Sequence, residues 1–236
     1  MRKIIKEKIN YFSREEKLLW TISILMIMIS FRLFDGGNIL TLAASLIGAT
    51  SLILNAKGNP FGQLLMIVFS VIYGYISYTF SYYGEMLTYL GMTAPMALFA
   101  LISWLQNPYQ GNHSEVKVNR LTWKEWGLML FLTILVTIFF YFVLLFFRTA
   151  NLIPSTLSVT TSFIAVYLTF RRSPYFALAY AANDVVLIVL WILASLEDIS
   201  YLSVMVCFLM FLFNDVYGYI NWRRIQYRQE KKSTAV

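Results

Sequence analysis

The sequence predicts an all-α membrane protein of about eight transmembrane helices: two parallel three-helix bundles, a linker helix joining them, and one extra helix at the N-terminus. Three observations predict it. The first is composition: of 236 residues 59% are hydrophobic and only 13% charged, with a mean hydropathy of +0.65. A soluble domain of that size could not cover its own apolar surface. The second is the placement of lysine and arginine between the apolar runs, and the third is an internal repeat.

Taken in order, Met1–Lys17 is basic, with Arg2, Lys3, Lys6, Lys8, Arg14 and Lys17. No small-residue cleavage site follows the next apolar run, so no removable signal peptide is read. Ile4, Ile5 and Ile9 between lysines fit either a short amphipathic helix on the membrane surface or a solvated basic tail. Eight apolar spans follow at 17–34, 38–56, 60–80, 84–104, 123–147, 153–170, 174–195 and 199–222. The turns between them are short and carry breakers, such as DGGN at 35–38, NAKGNP at 55–60 and RRSP at 171–174. The polar stretch from Leu105 to Thr122 is the one long connection and divides the chain. Pro95, inside the fourth span, frees a carbonyl and bends the helix, as a hinge or as a static kink. The organisation expected is 1–36, a basic segment with the extra helix; 37–107, the first bundle; 108–152, a cytoplasmic loop and the linker helix; 153–224, the second bundle; and 225–236, a basic cytoplasmic tail.

With the N-terminus in the cytoplasm, the inside segments hold six, one, three, two and five basic residues, and only Arg32 and Arg148 fall outside. That asymmetry follows the positive-inside rule and puts both termini in the cytoplasm. A seven-span arrangement, with the first run lying on the surface, would separate the termini. The charge bias supports eight, and a repeat is visible: EMLTYL at 85–90 matches EDISYL at 197–202, Asn59-Pro60-Phe61 matches Ser173-Pro174-Tyr175, Thr41-Leu42 matches Thr156-Leu157, and Ser103-Trp104 matches Asn221-Trp222. Spans two to four therefore recur as spans six to eight in parallel orientation, an arrangement that places a site between the copies.

The polar residues inside the spans are the candidate site, because ionisable groups at membrane depth are costly. A helix starting at Pro174 puts Asp184 about 15 Å deep, with Tyr180, Asn183 and Trp191 close to the same face. On the last span Asn214, Tyr217, Gly218 and Asn221 share one face, and Asp215, Tyr219 and Trp222 the neighbouring one. At the repeat offset, Ser70 is the counterpart of Asp184, and Gln63 that of Ala177. The first half thus offers an amide and a hydroxyl, the second a carboxylate and aromatics. Asn214 and Asp215, close to Arg223, could instead bond loop groups. Tyr73, Tyr75 and Tyr219 are further rings able to stack on a flat solute. Trp104, Trp123, Trp126 and Trp222, at span ends, read as interfacial anchors.

The exclusions narrow the chemistry. The net charge of +7 is topological, so no nucleic-acid partner is read from it. A single Cys207 and a single His113 leave no disulfide and no histidine or thiolate metal site. There is no nucleophile–base set, so no catalytic residue and no enzyme activity is expected, and no cofactor. No lysine or arginine sits at mid-membrane depth to balance a phosphate or carry a retinal Schiff base. What remains is a pathway for a small, neutral or cationic, partly aromatic solute in contact with membrane lipids.

YGEMLTYLGMTAPMALFALISWLQNPY at 83–109, the RRSPY entry at 171–175 and NDVYGYINWRR at 214–224 resemble the PnuC family of nicotinamide riboside transporters, from about Asn38 to Arg224. The resemblance implies an architecture similar to that of SWEET sugar transporters, with the first span as an addition. It also implies a multi-pass protein of the bacterial inner membrane that facilitates diffusion of the vitamin, trapped afterwards by cytoplasmic phosphorylation for NAD synthesis, with a homo-oligomer as one possible state. The family's Trp-x-x-Trp pair and following Asn fall here on Ala177, Tyr180 and Asp184. That departure leaves open relatives' cargoes: thiamine, riboflavin or deoxynucleosides. The resemblance places the family's polar position before YG on Asp215. Under it, Asp184 would balance a pyridinium charge, Tyr180 and Trp191 would stack on the ring, and Asn183, Asn214 and Gln63 would bond polar groups. Proton symport through Asp184 is the alternative.

Overall fold

A computed structural model describes residues 11–35, 38–79, 83–149 and 151–233. Among them, eight helices are long and apolar enough to cross a membrane. In chain order these are α1 (Arg14–Ser30, ending in a π-helical turn Phe31–Asp35), α2 (Ile39–Ala56), α3 (Pro60–Thr79), α4, α5 (Trp123–Phe146), α6 (Leu152–Phe170), α7 (Tyr175–Ser195) and α8 (Leu202–Ser233). Helix α4 runs through Tyr83–Thr88, a π-helical turn Tyr89–Thr93, and Ala94–Gln106. The surface helix considered for the first ten residues lies outside the described residues.

Local sequence explains the ends. Ser13 and Glu16 form a reciprocal capping box on α1, and Thr122 and Glu125 form another on α5. The irregular turn of α4 sits immediately before Pro95, whose missing N–H cannot close the regular ladder; Thr93 Oγ1 instead donates to the Thr88 carbonyl at 3.2 Å. The long polar connection contains a short antiparallel hairpin, β1 (Pro108–Tyr109) with β2 (Asn112–Val116). It turns through Gln110 and Gly111, both at positive φ. Helix α8 does not end at 222 but continues to Ser233. Its extension is held by that connection: Gln229 donates to the Val116 carbonyl, Arg228 pairs with Glu115, and Arg120 with Glu230.

Six helices form a closed ring. Within each triple the middle helix packs on both others, α3 between α2 and α4, and α7 between α6 and α8; the ring closes where α8 meets α2 and α4 meets α6. Helix α5 packs outside on α6, and α1 outside on α8 and α2. Apolar all round, α5 is the helix with the least buried surface, as a lipid-facing linker should be.

The repeat is exact at the ends facing the termini. The turn bonds Asn59 N–H to Leu54, Gly58 to Asn55 and Gly62 to Asn59 recur as Ser173 to Leu168, Arg172 to Thr169 and Phe176 to Ser173, a constant offset of 114 from Leu54 to Leu168. Both turns use a left-handed residue, Gly58 at φ 68° and Arg172 at φ 55°. Each triple then donates to the other. Trp104 Nε1 reaches the Thr169 carbonyl at 2.9 Å and Ser103 that of Phe170; Trp222 Nε1 reaches the Asn55 carbonyl at 2.7 Å and Asn221 that of Ala56. The Asn55 and Thr169 carbonyls already accept from the Gly58 and Arg172 N–H of their own turns, so each indole adds a second donor that ties the helix end to the opposite triple. Trp104 and Trp222 are fully buried, with ring centroids 5.3 Å apart. They are therefore not the interfacial anchors expected from their position; Trp123, 91% exposed, is free to anchor.

Helix α1 is fastened by polar contacts. Glu16, 2% exposed, bonds Lys57 of the α2–α3 turn and the Tyr217 hydroxyl of α8, while Ser23 accepts from Asn214. Lys57→Met should destabilise the fold by about 2 kcal/mol, because a buried carboxylate would lose its cation. Thermal unfolding of the variant checks this, and an unchanged midpoint would show that the latch adds nothing.

Candidate functional site

The ring encloses a polar centre. Neighbouring helices α7 and α8 bring Asp184 and Asp215 together, each 4% exposed, with their carboxyl groups hydrogen-bonded to each other. Two carboxyl groups this close and this buried repel each other when both are ionised. The second oxygen of Asp184, Oδ2, has no protein partner. Tyr180, one turn before Asp184, shares a hydrogen bond with Thr169 and lies within electrostatic range of both carboxyls. From the other triple comes Tyr89, close to Asp184, Tyr180 and Glu85 and stacked on Tyr73 with centroids 4.6 Å apart. Tyr89 opens the π-helical turn of α4, and that wider turn sets where its ring points.

The other sequence candidates are placed elsewhere. Asn183 turns to α6, where its Oδ1 accepts from Ser158, Thr161 and Ser162. Asn214 and Tyr217 turn to α1, as described, leaving Asn214 Oδ1 buried without a partner. Gln63 is committed to Asn55 at 2.9 Å between α3 and α2, and the Ser70 hydroxyl to its own helix at the Met66 carbonyl. Tyr75 is exposed on the outer surface, whereas Tyr73 is buried in the ring. Trp191 lies two turns beyond Asp184, against Tyr201 at 5.5 Å. Asn183→Ala should lower stability by about 1–3 kcal/mol, since three hydroxyls lose their common acceptor. A changed KM with unchanged thermal stability would instead make Asn183 a contact of the solute.

Trp191 marks a second feature, a cavity of about 120 Å³ at the ring end opposite the termini. Asp35, Glu85 and Asp198 line it, with Tyr73, Trp191 and Tyr201 as aromatic wall. Hydrogen bonds from the Ser200 backbone hold the Asp198 carboxyl below the usual range, so it stays ionised into mildly acidic solution. Tyr89, Glu85, Asp198 and Tyr201 were not among the sequence candidates. All four lie in the two matched stretches EMLTYL and EDISYL, so the repeat itself carried the signal. Among the described residues no lysine or arginine is buried, and no group of His, Cys, Asp or Glu could hold a metal ion.

A closed ring of spanning helices with a carboxyl and tyrosine centre, and a cavity at one end of the ring, defines a membrane transporter of the two-repeat class. The profile of the nicotinamide mononucleotide transporter family matches residues 38–224, and the chain belongs to that family. It is 27% identical over 211 residues to the nicotinamide riboside transporter PnuC of Neisseria mucosa, covering 87% of this chain and 80% of that protein. Its fold matches a crystal structure of the vitamin B3 transporter PnuC with a TM-score of 0.78 at 24% identity, over 92% of this chain and 94% of that one. Helix α1 lies before residues 38–224, the stretch that the family profile matches.

Proposed function

We propose that this protein moves nicotinamide riboside across a bacterial inner membrane by facilitated diffusion, with both termini in the cytoplasm. The observation that carries the reading is the Asp184–Asp215 pair, buried with no basic residue beside it. A pyridinium riboside brings the positive charge that such a pair can accept, and the free Asp184 Oδ2 offers it an acceptor. Tyr180 and Tyr89 supply rings to stack on it. The mononucleotide adds a phosphate, for which no buried lysine or arginine is present among the described residues, so the riboside fits better than the nucleotide of the family's description. The relative from Neisseria mucosa supports the same choice.

Uptake of labelled nicotinamide riboside into proteoliposomes tests this. Saturable equilibration, blocked by unlabelled riboside and not by the mononucleotide, is expected. Competition by thiamine, riboflavin or a deoxynucleoside alone would move the cargo. The nearness of the two buried carboxyl groups favours a second reading, proton-coupled transport. Under facilitated diffusion, a protonophore leaves the uptake rate unchanged; a fall would establish coupling.

A further inference from the structure

The cavity beside Trp191 is separate from the carboxylate centre. Along α7, Trp191 lies seven residues past Asp184, about 10 Å at a helical rise. Three acidic side chains, Asp35, Glu85 and Asp198, line this cavity, and among the described residues no lysine or arginine does. Asp35 closes the π-helical turn that ends α1, Asp198 caps the turn between α7 and α8, and the two lie within electrostatic range of each other. The Thr41 hydroxyl, on a residue 5% exposed, also lines the cavity and has no hydrogen-bond partner. So does a buried Glu85 oxygen, Oε2, by the same hydrogen-bond geometry, although its carboxyl comes within bonding reach of Ser77. An unpartnered buried hydroxyl on the wall of a cavity is a group that awaits a ligand.

The size and chemistry of the walls define what enters. At about 120 Å³ the space is well below the roughly 300 Å³ of a site for a drug-sized ligand, so it admits a single ring and not a whole nucleoside. Aromatic faces attract planar cations. Acidic groups around a low-dielectric opening concentrate cations and repel anions.

We propose that this cavity is an entry site for a flat organic cation, a quaternised six-membered heterocycle, which enters ring first and is selected for charge before it reaches the Asp184–Asp215 centre. Its role in entry rests on the transport reading above; binding at the cavity does not. The site would disfavour a mononucleotide at entry, since the acidic groups around the opening repel the phosphate that trails its ring. Both repeats contribute to it, Glu85 from EMLTYL and Asp198 with Tyr201 from EDISYL, so relative movement of the two triples would reshape it.

Two measurements test the proposal. In proteoliposomes, the double variant Asp35→Asn with Asp198→Asn is compared with the unchanged protein, using nicotinamide riboside and its uncharged dihydro form. Asparagine keeps the cap that Asp198 makes on the Ile199–Tyr201 turn. The expected result is a KM about tenfold higher for the cation, with kcat and the kinetics of the uncharged form within about twofold. An equal change for both solutes, or none for either, overturns the proposal. In the second measurement, 1-methylnicotinamide is titrated against the purified protein by tryptophan fluorescence. Saturable quenching is expected, lost in Trp191→Phe and weakened about tenfold in Asp35→Asn with Asp198→Asn. Quenching indifferent to these substitutions overturns the site. Absent riboside uptake by the unchanged protein would overturn the transport reading alone, and the titration would still decide the cavity.

Discussion

Asp184→Asn is expected to lower kcat/KM for nicotinamide riboside about thirtyfold in proteoliposomes, with little loss of folded protein. A hydrogen bond to a charged group contributes about 2 kcal/mol, and about 1.4 kcal/mol corresponds to a factor of ten. Asparagine keeps the size of the side chain but cannot balance a pyridinium charge. The Oδ2 atom has no protein partner, so the substitution breaks no bond of that oxygen within the fold. Asp215→Asn should act in the same direction. The double variant should lose less than the product of the two effects, because the carboxyls bond each other and do not contribute independently. Wild-type uptake by Asp184→Asn, together with a lowered melting temperature, would reduce Asp184 to a packing residue. Competition by uncharged analogues in the same assay is informative too: their relative affinity should rise when the carboxylate is gone.

The second large effect is on stability. Trp104→Ala and Trp222→Ala should each cost about 3–5 kcal/mol, because each empties a fully buried position at the interface between the two triples. The conservative Trp222→Phe should cost about 1–2 kcal/mol, the share of the bond to the Asn55 carbonyl. Since the two rings are in contact, the alanine effects should be less than additive. Thermal unfolding in detergent measures all three. Substitutions that alter uptake and leave the melting temperature in place would mean that this indole pair works as a gate and not as a clasp.

Much of the fold was legible because membrane-depth sequence is so constrained. A helix is the only way for an isolated segment to satisfy its backbone in lipid, so apolar length alone located eight spans to within a few residues of α1 to α8. The end of α8 escaped because its last turns lie outside any apolar run and are held by distant partners, Glu115 and Val116. Repeat matching at Ser103-Trp104 and Asn221-Trp222 pointed to equivalent residues but not to their job. Span-end tryptophans usually face lipid headgroups, and nothing local says that these two reach across to the opposite triple.

The site divides the same way. That Asp184, Asp215 and Tyr180 are candidates followed from the cost of burying polar groups in an apolar run, a property of each residue alone. Which of the polar residues meet one another is set by helix rotation and by neighbours far away in sequence. Asn183 sits next to Asp184 yet spends its carbonyl on three hydroxyls of α6, and Asn214 sits next to Asp215 yet faces Ser23 of α1. Adjacent helical residues point about a quarter-turn apart, so one lines the centre while the other seals the wall. Tyr89 depended on the local winding of α4, a π-helical turn that a regular periodicity cannot reveal. Composition, charge placement and repeat thus determined the membrane class, the span count and the buried acids. Tertiary packing alone decided which of those groups face the pathway, because facing is a relation between helices and not a property of any one of them.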